Sequence, residues 1–439
     1  MRVAFIHYLV GERDGVSLEI EKRAKVFLDL GWQVSYISGY DGLNRAETYI
    51  IPDFNIKNDW NLQFLNQSFE NSEVGEITVY RVFNEKVDEI FSKLDEALGS
   101  LKPDLIYVHN VFAHGYNLAA TSALLKALDK YKIPTVSVNH DFWFERDKFL
   151  NPKYFFVQEI LDSLPPDREY ILKHQVINSI AEKELSKRRN IKAERIADYS
   201  NFDIVQVEKD SYNADLRNIL GIAESDLVVL QATRVTGRKG IENAIKFVAE
   251  LQKQIVDKKV HLLLPNFIEA DCEEYASKLQ KLAATLNVNA IWASQLFMPE
   301  RRLTAEGRKI YSFWDAYLIT DLVTYPSFLE GFGNQLLEAI YFHKLPIVFE
   351  YPVFREDIKK EGYEYVSLGS TVTAEEDGLK FVSDSVIAKA VSKSLEFMDD
   401  VNRLSELTRK NFEIARANHN HDRLQNDIKA IIQKIGVKE

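Results

Sequence analysis

One pattern constrains this chain more than any other. Short apolar runs alternate with amphipathic stretches of helical period, and the alternation restarts midway along the sequence. The first series opens with Val3 to Tyr8, a loop from Leu9 to Val16, and a helix from about Ser17 to Leu30 whose buried face is Ile20, Ala24, Phe27 and Leu28. Gly31 stands where a left-handed helix cap is needed. Val34 to Ser38 reads as the next strand, Asn55 to Glu76 as a polar loop, Ile77 to Val82 as a strand and Glu85 to Leu98 as a helix. Strands Leu105 to His109 and Thr135 to Asn139 flank a helix from Asn117 to Lys130, and Ile204 to Val207 closes the half. Residues 151–197 read as a helical insertion.

The second series runs through strands at Leu227 to Ala232, Val260 to Leu264, Ala290 to Ser294, Leu322 to Tyr325 and Pro346 to Phe349. Helices are expected at Ile241 to Lys253, Glu273 to Leu286 and Asn334 to Phe342, with two more at Asn402 to Ala417 and Arg423 to Ile435. Repeated β-α-β order implies parallel sheets covered by helices on both faces. Two such series predict an α/β fold of two doubly wound, Rossmann-like domains facing a central cleft. The expected bounds are 1–220 and 221–410, with 411–439 a C-terminal helix packing back on the first domain. Ligands of open parallel sheets bind beyond the carboxyl ends of the strands, so the loops there are where function is sought.

Composition narrows the classes. The formal charge of −11 argues against a dedicated nucleic-acid binder, which needs a cationic surface. A single cysteine, Cys272, leaves no intramolecular disulfide and no thiolate metal cluster. The apolar start is too short for a secretory leader and no window is long enough to span a bilayer, so a soluble cytoplasmic enzyme is expected.

The string Pro326-Ser327-Phe328-Leu329-Glu330-Gly331-Phe332-Gly333-Asn334-Gln335-Leu336-Leu337-Glu338 follows an apolar strand and opens a helix. Its glycines allow a tight turn and close backbone approach to a ligand. The helix N-terminus offers unbonded N–H groups and a partial positive charge. Glu338 lies one turn above Asn334, and Glu330 precedes the helix. Carboxylates accept hydrogen bonds from sugar hydroxyls while the helix end takes an anion, which suits a ligand carrying both sugar and phosphate. A glycine turn with two solvated glutamates is the plain alternative for each Glu alone. The second string, Thr233 to Gly240, puts Arg234 and Lys239 on one loop, where both cations can face a departing diphosphate. Surface charge is the alternative for that pair.

Together these strings resemble the retaining glycosyltransferases of GT-B architecture, family 4. The resemblance rests on Glu330, Gly331, Phe332, Gly333 and Glu338, on Arg234 and Lys239, on Val3 to Ile6 followed by Asp14-Gly15-Val16, and on Val138-Asn139-His140-Asp141. It covers nearly the whole chain, least closely residues 151–197. It implies transfer of a hexose from a UDP- or GDP-linked donor to a hydroxyl acceptor, which is a sugar, a glycan, a lipid-linked or a small molecule, with the anomeric configuration retained. Glu330 would bond the donor hexose, the amides from Phe332 to Asn334 the sugar and distal phosphate, and Glu338 the ribose. Arg234 and Lys239 would neutralise the leaving diphosphate, Gly15 would approach the phosphates, and His140 would contact the transferred sugar at its 6-hydroxyl. Asp14 replaces a glycine usual in relatives and is expected to point toward the acceptor or solvent. Leu264-Pro265-Asn266 departs from a usual glycine turn, and Asn334 from a usually apolar residue.

The aromatic run Phe142, Trp143 and Phe144 offers either an acceptor-side stacking platform or core packing. His109 and His114 are read as structural. No Asp-x-Asp occurs, so no metal and no other cofactor is expected. The basic cluster between Lys183 and Arg195 is interleaved with glutamates and reads as a solvated helix face, with peripheral membrane contact the less favoured alternative. The rival functions are a nucleotide-sugar epimerase of the same build, a glycan-phosphorylase relative and a non-catalytic sugar-binding protein. A Rossmann dehydrogenase is disfavoured because no G-x-G-x-x-G follows the first strand.

Overall fold

The fold, taken from a computed structural model, is described here for all residues except 13–14, 72, 197, 201, 204–206, 270 and 437–439. The chain divides into two units, residues 1–197 with 422–439 and residues 198–421. The N-terminal unit runs β1 (Arg2–Ile6), α1 (Gly15–Asp29), β2 (Gln33–Ser38), β3 (Thr48–Ile50), α2 (Asp59–Leu65), α3 (Glu76–Leu101), β4 (Leu105–His109), α4 (Leu118–Tyr131), β5 (Thr135–Asn139), α5 (Phe155–Asp162), β6 (Ile171–Val176), α6 (Ser179–Arg189) and β7 (Ala193–Arg195). Its seven strands form one parallel sheet, ordered β3-β2-β1-β4-β5-β6-β7. Strand order reverses between β1 and β4, which makes their carboxyl ends the switch point where ligands of such sheets bind.

The C-terminal unit opens with α7 (Leu216–Ile219), β8 (Leu227–Leu230), α8 (Ile241–Gln254), β9 (Val260–Leu264), α9 (Glu273–Thr285) and β10 (Asn289–Trp292). Short strands β11 (Phe297–Met298), β12 (Arg302–Leu303) and β13 (Lys309–Ser312) form a side sheet. Then come α10 (Phe313–Leu318), β14 (Leu322–Tyr325), α11 (Asn334–Tyr341), β15 (Leu345–Val348), β16 (Val366–Ser367), the β17–β18 hairpin (Thr373–Ala374, Lys380–Phe381), α12 (Asp384–Asp399) and α13 (Val401–His419), whereas α14 (His421–Lys434) belongs from residue 422 onward to the N-terminal unit. Its main sheet is parallel with order β10-β9-β8-β14-β15-β16, so the switch point falls between β8 and β14.

The structure corrects several expectations. Residues 77–82 are helical: Val79, Phe83, Val87, Ile90 and Leu94 line one buried stripe of α3, and this helical period outweighs the β-branched run at its start. Leu28 is 57% exposed and does not belong to the buried face of α1, where Arg23 and Glu19 are buried beside Ile20, Ala24 and Phe27. The stretch 151–197 is no insertion, because it supplies sheet strands β6 and β7. Its polar strand residues Lys173 and Gln175 meet Asp427 of α14 at 3.2 and 2.7 Å, which explains a strand without apolar alternation. Only residues from 422 onward join the first unit, so residues 411–421 stay with the second. The boundary near 220 moves to 197/198, because Leu216 is core and Asn213 and Asp215 bond Asp315 and Lys309 within the second unit. The strand expected at Ile204 to Val207 lies, in its first three positions, outside the described residues.

Candidate active site

In the C-terminal unit, β8 and β14 are neighbours and their following loops are stitched together. The Phe328 amide donates to the Arg238 carbonyl at 2.8 Å. Gly240 ends the first loop at φ +60, and a Cβ there would sit 2.4 Å from the Pro326 carbonyl oxygen, so only glycine fits the crossing. The turn delivers Lys239, 4% exposed, onto Glu330 from the other loop, with Nζ donating to Oε1 at 2.5 Å. Arg238 donates to the second carboxylate oxygen at 2.9 Å and to the Leu329 carbonyl at 3.2 Å. Burial alone would raise the Glu330 pKa, but Lys239 and Arg238 outweigh it and hold the carboxyl down to about 2. Burial pulls the Lys239 ammonium below its ordinary range, against the attraction of Glu330. Arg234 pairs instead with Glu269, at 2.7 Å.

The second loop runs into α11. At Gly333 a Cβ would meet the Tyr351 hydroxyl at 2.7 Å, and that hydroxyl donates to the Phe332 carbonyl. Leu336 and Leu337 donate to the Gly333 carbonyl, so the helix begins there and the amides ahead of Leu336 have no intrahelical acceptor. Phe332 is buried with its ring 5.0 Å from that of His419. Half-buried Glu338, one turn above Asn334, accepts from the Tyr317 hydroxyl at 2.8 Å.

In the N-terminal unit, β4 ends in His109, and His7 and His140 directly follow its neighbours β1 and β5. His7 Nδ1 donates to the His109 carbonyl at 2.7 Å, and His109 Nδ1 lies 3.3 Å from His140 Nε2. The His140 amide donates to Asn110 Oδ1 at 2.7 Å, Asn110 itself taking φ +57. Burial lowers the His140 pKa to about 4 and that of His109 well below the usual imidazole range, with Arg23 adding to both shifts. Asp141 accepts from His114 at 2.6 Å, from Asn110 at 3.2 Å and from the Arg146 guanidinium. Burial opposes its ionisation, but His114 and Arg146 outweigh that and hold its pKa far below the usual carboxylate range.

Phe142 and Trp143 are not a stacking platform. Phe142 is fully buried on Phe144, and Trp143, 8% exposed, is part of the core. Gly15 is the first residue of α1, whereas Asp14 lies outside the described residues. Beyond β5, Lys148 Nζ stands 3.8 Å over the Tyr116 ring and makes no ion pair among the described residues. Burial, then Arg146, lowers its pKa to about 8. In the basic cluster, Arg188 pairs with Glu184 and Arg189 bonds the Asp162 and Ser163 carbonyls. Sequence reasoning names Lys239 and Glu330 from separate strings and does not foresee their ion pair, which the structure shows, with Arg234 on the same loop as Lys239. It misses Arg238, although that residue sits in the quoted string, and it misses Glu269, Lys148 and the contact of His109 with His140. No helix among the described residues is long and apolar enough to cross a membrane.

The family model of the glycosyl transferases group 1 matches residues 213–382. Mannosylglucosylglycerate synthase of Petrotoga mobilis is 33% identical, over 93% of this chain and 96% of its own length. The protein of the same name from Thermotoga maritima is 35% identical, over 97% and 98%. Among solved structures, Anabaena HepE in complex with UDP and glucose is similar in fold, with TM-score 0.63 and 14% identity over 99% of this chain and all of the other. The sucrose-phosphate synthase of Thermosynechococcus elongatus aligns with TM-score 0.63 and 12% identity, over 99% and 98%.

Proposed function

The chain belongs to the glycosyl transferases group 1, with a GT-B fold of two parallel-sheet units, and transfers a hexose from a nucleotide sugar to a hydroxyl acceptor; from that premise we propose that it moves a mannosyl group onto glucosylglycerate with retention. The observation that carries the choice of substrates is that two relatives, matched nearly end to end at 33% and 35% identity, share the name mannosylglucosylglycerate synthase. Lys148, a cation without an acidic partner among the described residues at the carboxyl edge of the first sheet, supports an acceptor bearing a carboxylate.

The transition state of such a transfer resembles an oxocarbenium ion, with negative charge growing on the diphosphate. Lys239, Arg234 and the N-terminus of α11 answer that charge, and Arg238 joins them. Glu330 has two roles in this reading. It holds Lys239 and Arg238 through one oxygen each, and its remaining lone pairs accept from hydroxyls of the donor hexose. Ionised and doubly paired, it is a poor nucleophile, so attack comes from the acceptor hydroxyl on the face the leaving group occupied. The departing phosphate takes the hydroxyl proton. Glu338 bonds the ribose and His140 the transferred sugar. No metal is required in this scheme, because fixed cations meet the diphosphate.

The test incubates the purified chain with GDP-mannose, UDP-glucose or UDP-N-acetylglucosamine, each with glucosylglycerate. Thermal stabilisation by one donor and an α-linked mannosyl product by proton NMR are expected. Absence of transfer to glucosylglycerate from every donor refutes the acceptor assignment, and an inverted product refutes retention.

A further inference from the structure

The three imidazoles at the ends of β1, β4 and β5 form a chain whose proton positions are constrained by what each nitrogen faces. His7 Nδ1 faces a carbonyl oxygen, so it carries the proton there. Between His109 Nδ1 and His140 Nε2, at 3.3 Å, one nitrogen donates and the other accepts. Both rings are neutral near pH 7, because burial opposes their charging and the buried Arg23 guanidinium, held by Glu19, disfavours an added positive charge. Each ring therefore has one N–H to place.

The two arrangements are not equal. If His140 donates, the proton of His109 must sit on Nε2, which is buried and has no hydrogen-bond partner. His109 is 0% exposed, between the rings of Phe5 and Tyr107. An orphaned buried N–H costs about 1–3 kcal/mol, and such donors are rarer than under-used acceptors. If His109 donates from Nδ1, its Nε2 is a bare lone pair and nothing is orphaned as a donor. His140 then accepts at Nε2 and carries its own proton on Nδ1, the reverse of the tautomer that free histidine favours. His140 is half-buried at the sheet edge, and its amide is pinned by Asn110, so the ring orientation is held as well.

We propose that His109 is a positioning residue: by donating from Nδ1 to His140 Nε2 it fixes the tautomer in which His140 offers an Nδ1–H donor to a hydroxyl oxygen of the transferred sugar. This rests on the reading of His140 as a sugar contact. Its consequence is that a residue in the hydrophobic core, touching no substrate, sets the polarity of the hydrogen bond that the site makes.

The experiment uses the full chain labelled with 15N-histidine. Two-bond 15N–1H spectra report which ring nitrogen is protonated, and His140→Asn assigns the His140 signals among those of the nine histidines. In the wild type, His140 is expected to carry its proton on Nδ1. His109→Phe fills the space without a donor, and should lower kcat about tenfold while donor KM moves less than about threefold, as loss of one oriented hydrogen bond predicts. In it the His140 proton should redistribute to Nε2. His109→Asn keeps an amide donor near the former Nδ1, and should hold the His140 tautomer and recover activity to within about threefold of wild type. An Nε2–H tautomer in wild-type His140 overturns the proposal. So does a folded His109→Phe enzyme with wild-type kcat, or a His109→Asn enzyme as impaired as His109→Phe. If His109→Phe does not fold, the wild-type spectrum and His109→Asn still decide. His140→Ala tests the underlying reading separately: wild-type turnover there removes His140 from the site, whereas a large loss combined with an Nε2–H tautomer removes only the role given to His109.

Discussion

The two sheets present opposite solutions at the same topological place. At the switch point of the C-terminal unit stand fixed charges, with Lys239 and Arg238 locked on Glu330 and Arg234 on Glu269. At the switch point of the N-terminal unit stand neutral imidazoles, whose burial opposes protonation. A diphosphate that gains charge as it leaves needs cations that are already oriented and cannot be lost to water. Sugar hydroxyls need direction rather than charge. The contrast shows that a shared fold does not decide whether a strand end is ionic or neutral, and it fits the proposed assignment of diphosphate to one edge and sugar hydroxyls to the other.

The strongest way to break this comparison is to remove the charge from the ionic edge. Lys239→Ala is expected to lower kcat about a hundredfold, the usual cost of one pre-organised donor. Glu330→Ala should lose activity by at least about tenfold and in addition lose stability, by about 3 kcal/mol, because it leaves Lys239 buried without its carboxylate. Lys239→Ala should cost less stability, since Glu330 keeps Arg238. Urea unfolding of the two variants beside steady-state kinetics separates the effects, and equal stability losses would contradict the asymmetry. The pH dependence has a definite sign. The folded pKa of Glu330, about 2, lies below its ordinary carboxylate value, so its contribution is present above about pH 4.5 and is lost as pH falls toward 2. The wild type should therefore lose stability more steeply than Glu330→Gln across that acid window.

A second break acts on the backbone that delivers the lysine. Gly240→Ala places a Cβ 2.4 Å from a carbonyl oxygen at φ +60. The left-handed conformation alone costs about 1–2 kcal/mol, and the clash adds to it. A lowered Tm with a parallel loss of turnover is expected, and a variant as stable and active as wild type would show that the loop crossing is not needed.

Ionic and neutral edges also differ in how far they can be read from the sequence. The loops that carry Glu330 and Lys239 are legible because their glycines and charges cluster at short spacing, and because parallel strands such as Leu322–Tyr325 carry uninterrupted apolar runs. The histidine chain is illegible because it is assembled across β1, β4 and β5, from single residues far apart in sequence. Strand β6 was hidden for a related reason: its Lys173 and Gln175 are satisfied by Asp427, about 250 positions away, so its composition mimics a surface segment. For Phe142 and Trp143 the sequence leaves stacking platform and core packing equally open, and the structure selects core packing.

Of the cations at the neutral edge, Lys148 makes no ion pair among the described residues, and it can be tested directly. If Lys148 takes the acceptor carboxylate, Lys148→Met should raise the acceptor KM about tenfold with kcat nearly unchanged, as loss of a charge-assisted hydrogen bond predicts. The methyl ester of the same acceptor should bind equally to both proteins. Because burial and Arg146 bring its pKa to about 8, Lys148 is charged below that pH and neutral above it. Acceptor KM should rise above about pH 8 in the wild type, and Lys148→Arg should abolish that rise. A flat KM in the wild type across this window would remove Lys148 from the acceptor site.

The smallest expected effect concerns the Arg234–Glu269 pair, which does not involve Glu330. Arg234 and Glu269 are each about one-third exposed, with side-chain values of 31% and 32%, so their pairing is solvent-screened and worth at most about 1 kcal/mol. A diphosphate that recruits Arg234 must draw the guanidinium from Glu269 or bind beside an uncompensated carboxylate. Either way Glu269 opposes the donor slightly. Glu269→Gln should therefore lower donor KM about threefold at low salt, with kcat unchanged, and the gain should shrink as salt screens the pair. A rise in donor KM instead would mean that Glu269 orients Arg234 toward the phosphates rather than competing for it, and the pair would then act on the donor as Glu330 is proposed to act through Lys239.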